Sequence, residues 1–167
     1  MSGFPSIQPA FTVLVAIASP LAIGSASRGT PLAVVPMTSG TVKSEPGFEP
    51  ALNAELDGVG YDYIRTDGSG THMRLDVRSQ LKDTSGSLIA MYYKGAVRLS
   101  PETVKVLSGA PDAKTTEFGD SVVNFSFETG AERFKALETM TFVGAGRFVV
   151  KKDGLAVEYK VSRVIAG

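Results

Sequence analysis

The sequence contains no cysteine and only one histidine, His72, among its 167 residues. Without cysteine there can be no disulfide, iron–sulfur ligation, thiol catalysis or cysteine-type zinc site. One histidine excludes a histidine-rich metal centre, and a site built only from carboxylates would favour hard ions such as Mg²⁺ or Ca²⁺. No Walker loop, dinucleotide fingerprint or nucleophile elbow is present. The sequence therefore predicts chemistry without a cofactor or metal, or simple binding.

The sequence also has no surplus of either charge, because 17 Lys and Arg balance 17 Asp and Glu. Nonspecific nucleic-acid binding depends on a basic surplus, so we expect no nucleic-acid partner. The apolar run at residues 10–24 has no cation before it, since the first is Arg28, and Pro20 interrupts it. It therefore lacks the features of a signal core or a membrane span and is predicted to be a buried strand. We expect a cytoplasmic protein with no membrane partner.

The length and the spacing of turn residues predict one domain, spanning residues 1–167. Eighteen glycines and nine prolines separate short apolar runs, which is typical of an antiparallel sheet. We predict eight strands, at about residues 8–19, 32–43, 60–66, 71–82, 87–99, 117–127, 140–151 and 154–165. An all-β fold with a single closed antiparallel barrel is favoured, because closure removes exposed edges. Residues 44–60 form the longest predicted loop, which we expect to be a lid over the mouth.

One short helix is predicted after the sixth strand. Residues 129–132 have the Ser/Thr-x-x-Glu form of a capping box, and Phe134 and Leu137 follow at helical spacing. A second helical segment at residues 101–107 is compatible with Pro101, since proline is well tolerated at the first helical position.

The strand at residues 71–82 carries a strictly alternating pattern. Polar residues (His72, Arg74, Asp76, Arg78 and Gln80) alternate with apolar ones (Met73, Leu75, Val77 and Leu81). A four-residue hairpin loop would place Asp76 opposite Tyr93 and Arg78 opposite Met91, a mixed face typical of a ligand-holding lumen. A shift by one residue would instead place Asp76 opposite Lys94, as on a surface. The alternation alone leaves both registers open.

An ordered set of short segments resembles one known family across nearly the whole chain. The segments are residues 27–30 (SRGT), 35–36 (VP), 39–42 (SGTV), 60–63 (GYDY), 67–68 (DG), 75–78 (LDVR), 86–95, 127–130 (FETG) and 142–144 (FVG). Together they are similar to the domain-of-unknown-function 3237 family of bacteria and fungi. The chain has Asp62-Tyr63 where members commonly have Asp-Trp, and Tyr93-Lys94-Gly95 where many have Asn-Arg-Gly.

The resemblance implies a single β-barrel similar to those of allene oxide cyclases, which have a calycin-like architecture. It also implies an activity, because fungal relatives include cofactor-free cyclases of polyketide pathways. One of them looks like an intramolecular hydroalkoxylase, which adds a phenol oxygen across a prenyl alkene of a phenalenone. On this resemblance, we expect a cofactor-independent cyclase or isomerase of secondary metabolism. Its expected substrate is a small prenylated aromatic polyketide.

Such a reaction needs an acid for the alkene, stabilisation of the resulting cation and a positioned phenol. The acid must stay protonated, which requires apolar surroundings and no adjacent cation. Glu128, at the end of an apolar strand, is the expected acid and Asp62 the reserve. Asp76 and Arg78 are expected to orient the phenol or to act as base. The residues expected to bind substrate are Tyr63, Tyr93, Met91, Arg28 and Arg147.

Two other functions suit the same sequence. A lipocalin-like carrier would hold a small apolar metabolite without chemistry, whereas a barrel with a packed interior would act through its surface. The presence of a cavity of roughly 300 Å³ or more separates the first from the second. We also expect a homodimer, formed through an outer apolar wall of Leu75, Val77 and Leu81.

Overall fold

The computed structural model describes residues 3–167, which form ten strands, one α-helix and one 3₁₀ helix. The strands are β1 (Ser6–Ile17), β2 (Leu21–Gly24), β3 (Leu32–Ser44), β4 (Asn53–Leu56), β5 (Gly60–Thr66), β6 (His72–Asp83), β7 (Leu88–Arg98), β8 (Ser121–Thr129), β9 (Phe142–Lys151) and β10 (Gly154–Ile165). Helix α1 spans Pro101–Leu107, and the 3₁₀ helix spans Glu132–Thr139.

The strand pairings close into a barrel. From β1 they run through β10, β9, β8 and β7 to β6, and β5 and β4 then join β6 to β3. Strand β3 pairs with β1 over most of its second half, so the series returns to its first member. All these pairings are antiparallel. The predicted all-β fold with one antiparallel barrel is confirmed.

Two short strands, β2 and β4, were not predicted from the sequence. Each has four residues and pairs with part of the long strand β3. Four residues are too few to show a reliable period. Strand β4 lies within residues 44–60, so the prediction of a continuous loop there was wrong.

The register between β6 and β7 places the polar face of β6 on the outside. Asp76 pairs with Lys94, and Val77 pairs with Tyr93. Lys82 pairs with Leu88, so the connecting turn is one residue longer than a four-residue hairpin loop. Within this turn the carboxylate of Asp83 accepts hydrogen bonds from backbone N–H groups. Of the two registers left open by the sequence, the structure has the one that pairs Asp76 with Lys94, so the lumen position of Asp76 given by a four-residue loop was wrong.

The opposite face of β6 packs inside the barrel. Leu75, Val77 and Leu81 are 7%, 0% and 1% exposed. These residues therefore do not form the outer apolar wall on which the homodimer was predicted. They form part of the interior that the barrel buries.

The two helical predictions had different outcomes. Helix α1 begins at Pro101, as expected for the second segment, and the Ser100 side chain caps it by accepting from the Thr103 N–H. The segment after residue 129 is a 3₁₀ helix without a side-chain cap. The Thr129 hydroxyl donates instead to the Leu88 carbonyl at 2.8 Å, which ties it to β7. The predicted capping box was wrong.

One half of the barrel interior is filled by aromatic side chains. The ring of Phe11 lies 5.3 to 6.3 Å from the rings of Phe48, Phe125, Phe127 and Phe142, mostly edge to face. Such arrangements match the positive ring edge to the negative ring face. Phe48, from the segment at residues 44–60, is 2% exposed. That segment closes the packed end of the barrel, so its prediction as a lid was wrong.

Candidate functional site

The other half of the barrel is hollow and holds a cavity of about 730 Å³. Aliphatic side chains form most of its wall, among them Val15, Val35, Ile64, Leu75 and Val157. No residue of the 44–60 segment lines it. The volume falls within the range of pockets that enclose small organic ligands, which excludes a fully packed interior.

The mouth of the cavity is built from β2 and the end of α1. Ile23 and Leu107 line the cavity yet are 60% and 41% exposed, which marks the open side. The first two residues of β10, Gly154 and Leu155, also line the cavity. Because the mouth is apolar, an apolar ligand can enter without displacing water that is bound to polar groups there.

Asp62 is the carboxylic acid that lines this cavity. It lies in β5, opposite Val35 of β3 and Val77 of β6. Residues alternate in β5, so Asp62 shares the inner face with Gly60 and Ile64, whereas Tyr61 and Tyr63 point outward. Alternation along a short strand thus carries a carboxyl group into an apolar wall.

The ladder between β5 and β6 is interrupted beside Asp62. Pairs form at Tyr61/Arg78 and Asp62/Val77 and resume at Arg65/Arg74, but two intervening positions are unpaired. At this gap the backbone N–H of Asp76 donates to Oδ1 of Asp62 at 3.1 Å. The side chain of Asp62 therefore takes the place of a backbone acceptor, which fixes the position of its carboxyl group.

Burial raises the pKa of Asp62 to about 7 from an ordinary 3.8. The N–H bond from Asp76 opposes this rise, and the nearby Asp76 carboxylate adds to it. Among residues 3–167, no lysine, arginine or histidine forms an ion pair with Asp62. The cavity therefore holds a carboxylic acid that is largely protonated just below neutral pH.

Two buried tyrosines form the polar part of the wall around Asp62. Tyr93 and Tyr159 are 3% and 2% exposed, and their ring centroids lie 5.2 Å apart. The Tyr93 hydroxyl donates to the sulfur of Met37 at 3.4 Å. Burial raises the pKa of both phenols, so both remain neutral hydrogen-bond donors.

Gly146 makes room for one of these tyrosines. A Cβ atom at Gly146 would overlap the ring of Tyr159 and lie 3.1 Å from the Cβ of Ser121. Gly146 and Tyr159 are paired across β9 and β10. The glycine thus lets the phenol ring lie flat against the barrel wall beside the cavity.

Three of the four predicted catalytic residues lie on the outer face. Glu128 is exposed because its neighbour Phe127 points inward, and its carboxylate is 3.5 Å from the Tyr92 hydroxyl. Asp76 forms an ion pair with Lys94 at 3.1 Å. Arg78 is exposed and lies over the Tyr92 ring. Their predicted catalytic roles require contact with the cavity, and that expectation was wrong because none of the three lines it. Asp62, the reserve acid, is the one inside.

The predicted substrate-binding residues are also divided. Tyr93 lines the cavity, and Arg147 touches it, although the Arg147 guanidinium is bound to Glu158 at 2.6 Å. Met91 is inside the barrel at 0% exposure but does not line the cavity. Tyr63 is 46% exposed on the outer face. Arg28 is exposed in the segment between β2 and β3.

Tyr159 was missed from the sequence. Its signal is the spacing of Val157, Tyr159 and Val161, which places a phenol on the inner face of β10.

Among the described residues 3–167, no group of three or more His, Cys, Asp or Glu side chains is arranged to hold a metal ion. Over the same residues, no helix is long and apolar enough to cross a bilayer.

Comparison with known proteins gives a family and a fold. The family model described as "Protein of unknown function (DUF3237)" matches residues 5–164. No curated protein matches the chain.

Three solved structures illustrate the fold. A conserved protein of unknown function from Rhodopseudomonas palustris superimposes with a TM-score of 0.78 at 18% identity, covering 97% of this chain and 99% of that one. A beta-barrel like protein from Acinetobacter baumannii gives 0.73 at 23% identity, with 97% of each chain covered. An enzyme from Penicillium herquei gives 0.62 at 15% identity, covering 96% of this chain and 95% of that one. At these identities the likeness establishes the shared fold.

Proposed function

The chain belongs to the DUF3237 family, and on that premise we propose that it is a cofactor-independent cyclase whose acid is Asp62. The proposed reaction is intramolecular hydroalkoxylation, in which a phenol adds to a prenyl alkene of a small aromatic polyketide. The observation that carries the proposal is a protonatable carboxyl group inside an apolar cavity of about 730 Å³. The solved structure of a Penicillium herquei enzyme with this fold is consistent with catalysis.

Asp62 can serve both proton transfers of this reaction. The neutral acid donates its proton to the less substituted alkene carbon, which leaves a tertiary cation and an Asp62 carboxylate. The phenol oxygen bonds to the cationic carbon and returns its proton to that carboxylate, so the product is an isomer of the substrate. General acid catalysis by a positioned group contributes about 10²- to 10⁴-fold, and a pKa near the working pH suits both steps.

The walls of the cavity suit the cationic intermediate. The faces of aromatic rings stabilise positive charge, and Tyr93 and Tyr159 supply two rings in the wall. A substrate that fills the aliphatic cavity displaces water, which would otherwise capture the cation as an alcohol. Holding the phenol beside the alkene supplies a further gain, since well-oriented intramolecular reactions recover roughly 7–11 kcal/mol of barrier.

The charges at the site favour a neutral substrate. Arg147, the cation at the cavity boundary, is already neutralised by Glu158. A carboxylate ligand in the cavity would therefore lack a counter-charge and would lie near the Asp62 carboxyl group. A phenol or ketone instead finds neutral donors in Asp62, Tyr93 and Tyr159.

A second candidate is a carrier that binds a small apolar metabolite without converting it. The apolar mouth at Ile23 and Leu107 favours this function as much as catalysis. The two candidates differ in their dependence on Asp62. A carrier would keep most of its affinity after replacement of the acid by its neutral isostere, and it would leave the ligand unchanged.

The test is turnover of a panel of prenylated phenols, followed by chiral chromatography of the products. The key variant is Asp62→Asn, with Glu128→Gln as the matched control because Glu128 is on the outer face. We expect cyclisation by the native protein and by the control, and a loss of about 10²-fold or more in kcat for Asp62→Asn. Full turnover by Asp62→Asn would refute the acid role. Binding without conversion by the native protein would favour the carrier.

A further inference from the structure

The interruption in the β5–β6 ladder brings an outer charge close to the inner acid. We call the two unpaired positions, where Tyr63 faces Asp76 and Ile64 faces Leu75, the wall gap. The Asp76 N–H bonds to the Asp62 carboxyl group across it at 3.1 Å. A barrel wall is normally sealed by its backbone hydrogen bonds, but here a side chain from the lumen occupies that position.

The side chain of Asp76 is divided between the wall and solvent. Its Oδ2 atom lies 3.1 Å from the Lys94 ammonium on the outer surface. Its Oδ1 atom is buried and has no hydrogen-bond partner among the described residues. A buried oxygen without a donor is costly for an ionised carboxylate, and the Lys94 ammonium at the other oxygen offsets part of that cost.

We infer that the Asp76–Lys94 ion pair on the outer surface modulates the protonation of Asp62 through the wall gap, in addition to the larger effect of burial, which makes Asp76 a positioning residue for the cavity acid. The inference rests on the proposed function only for its catalytic meaning, since the electrostatic coupling can be measured without a substrate. Asp76 acts in two ways: its N–H fixes the Asp62 carboxyl group, and its negative charge opposes ionisation of that group.

The other charges around Asp62 are already engaged elsewhere. On the outer face, Arg65 of β5 donates to the Thr30 carbonyl, Arg74 of β6 binds Asp67, and Arg78 of β6 lies over the ring of Tyr92 of β7. Inside, the facing titratable groups are Tyr93 of β7 and Tyr159 of β10, whose phenols stay neutral. Arg147 of β9 lines the cavity and is paired with Glu158 of β10, and β3 presents Val35 and Met37. Asp76 and Lys94 therefore form the ion pair at the wall gap, and the charge of each partner can be removed by its own substitution.

The two partners of the ion pair should act in opposite directions. Asp76→Asn keeps the backbone N–H but removes a negative charge, so Asp62 should ionise at lower pH. Lys94→Met removes the compensating positive charge, so Asp62 should ionise at higher pH. Through a partly protein-filled path of several ångström, each shift is expected to be on the order of one pH unit.

The experiment is a carbon-13 NMR titration of the aspartate carboxyl groups in the full chain. The Asp62 signal is identified by its loss in Asp62→Asn. The matched control is Glu132→Gln, which removes the acidic partner of another exposed ion pair, Glu132–Lys135. Glu132 lies in the 3₁₀ helix, which packs against β8 and contributes no residue to the cavity lining. We expect a downward shift for Asp76→Asn, an upward shift for Lys94→Met, and an unchanged midpoint for the control.

Shifts in the same direction, unchanged midpoints, or an equal shift in the control would overturn the inference. Lys94 and the control residue are exposed and the Asp76 side chain is half-exposed, and the amide spectrum verifies that each variant is folded. The outcome is separable from that of the proposed function. Opposite shifts in a protein that converts no prenylated phenol would support the coupling and refute the cyclase. Cyclase activity that depends on Asp62, without shifts of its titration midpoint in the two variants, would support the proposed function and refute the coupling.

Discussion

Replacing Asp62 by asparagine should make the protein progressively more stable than the native form as the pH rises. Burial raises the pKa of Asp62 from 3.8 to about 7. Between these values the unfolded chain has released the Asp62 proton while the folded protein retains it. The unfolded state then binds fewer protons, so the free energy of unfolding falls with increasing pH. Well above pH 7 both states are ionised and the loss is complete.

The size of the effect follows from the two pKa values. Integrating proton release between about pH 5 and about pH 8 gives a loss of about 2.5 kcal/mol in the free energy of unfolding. Asparagine does not ionise, and its side-chain oxygen can still accept from the Asp76 N–H. The stability of Asp62→Asn relative to the native protein should therefore increase by that amount over this range.

Urea denaturation of both proteins at the two pH values measures this difference. Comparison at equal pH cancels the other acids, including Asp67, Asp112 and Asp120, whose pKa values are lowered in the fold. These lowered pKa values by themselves make stability rise with pH at the acidic end of the range. The pH dependence of the native protein alone would therefore combine two opposing effects, and only the difference from the variant isolates Asp62. A stability difference that stays constant between the two pH values would refute the raised pKa of Asp62.

Two further predictions concern the cavity wall. Gly146→Ala should destabilise the protein by about 1–3 kcal/mol in urea denaturation, because the added methyl overlaps the buried ring of Tyr159 and forces that ring to shift. An unchanged stability would mean that the ring moves into the cavity without cost. Tyr93→Phe should change stability by less than about 1 kcal/mol, since its hydroxyl donates only to the weak acceptor sulfur of Met37. The same variant should lower turnover if the phenol hydroxyl contacts substrate, and equal turnover would exclude a role for that hydroxyl while leaving the ring in the cavity wall.

Strand positions could be predicted because alternation and turn residues are local signals, but the register of β6 against β7 could not. That register depends on the length of the turn at Asp83. The carboxylate of Asp83 is bound by Arg133, which is 50 residues away in the sequence. The Asp83 carboxylate therefore joins local bonds from the Ser85 and Ser87 N–H groups to a tertiary contact, and the local sequence shows only the first of these. A difference of one residue in the turn exchanges the inner and outer faces.

The candidate site was predicted in part for a related reason. Asp62 and Glu128 both follow apolar patterns, and the sequence favours Glu128 because four apolar residues precede it in β8. In the structure Asp62 is inside and Glu128 is outside, because alternate residues of a strand point to opposite faces of the barrel wall. Phe127 takes the inner position, which leaves Glu128 outside, whereas Asp62 has the same parity as Ile64. The environment of Asp62 comes from β3 and β6, which no local pattern around residue 62 describes.

The neutral carboxyl group in the cavity is the claim on which both proposals depend, and infrared spectroscopy observes it directly. At about pH 6 the acids of ordinary pKa are ionised, so the carbonyl stretch of a protonated carboxylic acid should come from Asp62. The account predicts this band in the native protein, its loss as the pH rises through 7, and its absence from Asp62→Asn. Identical spectra of the native protein and Asp62→Asn in that region at about pH 6 would contradict it.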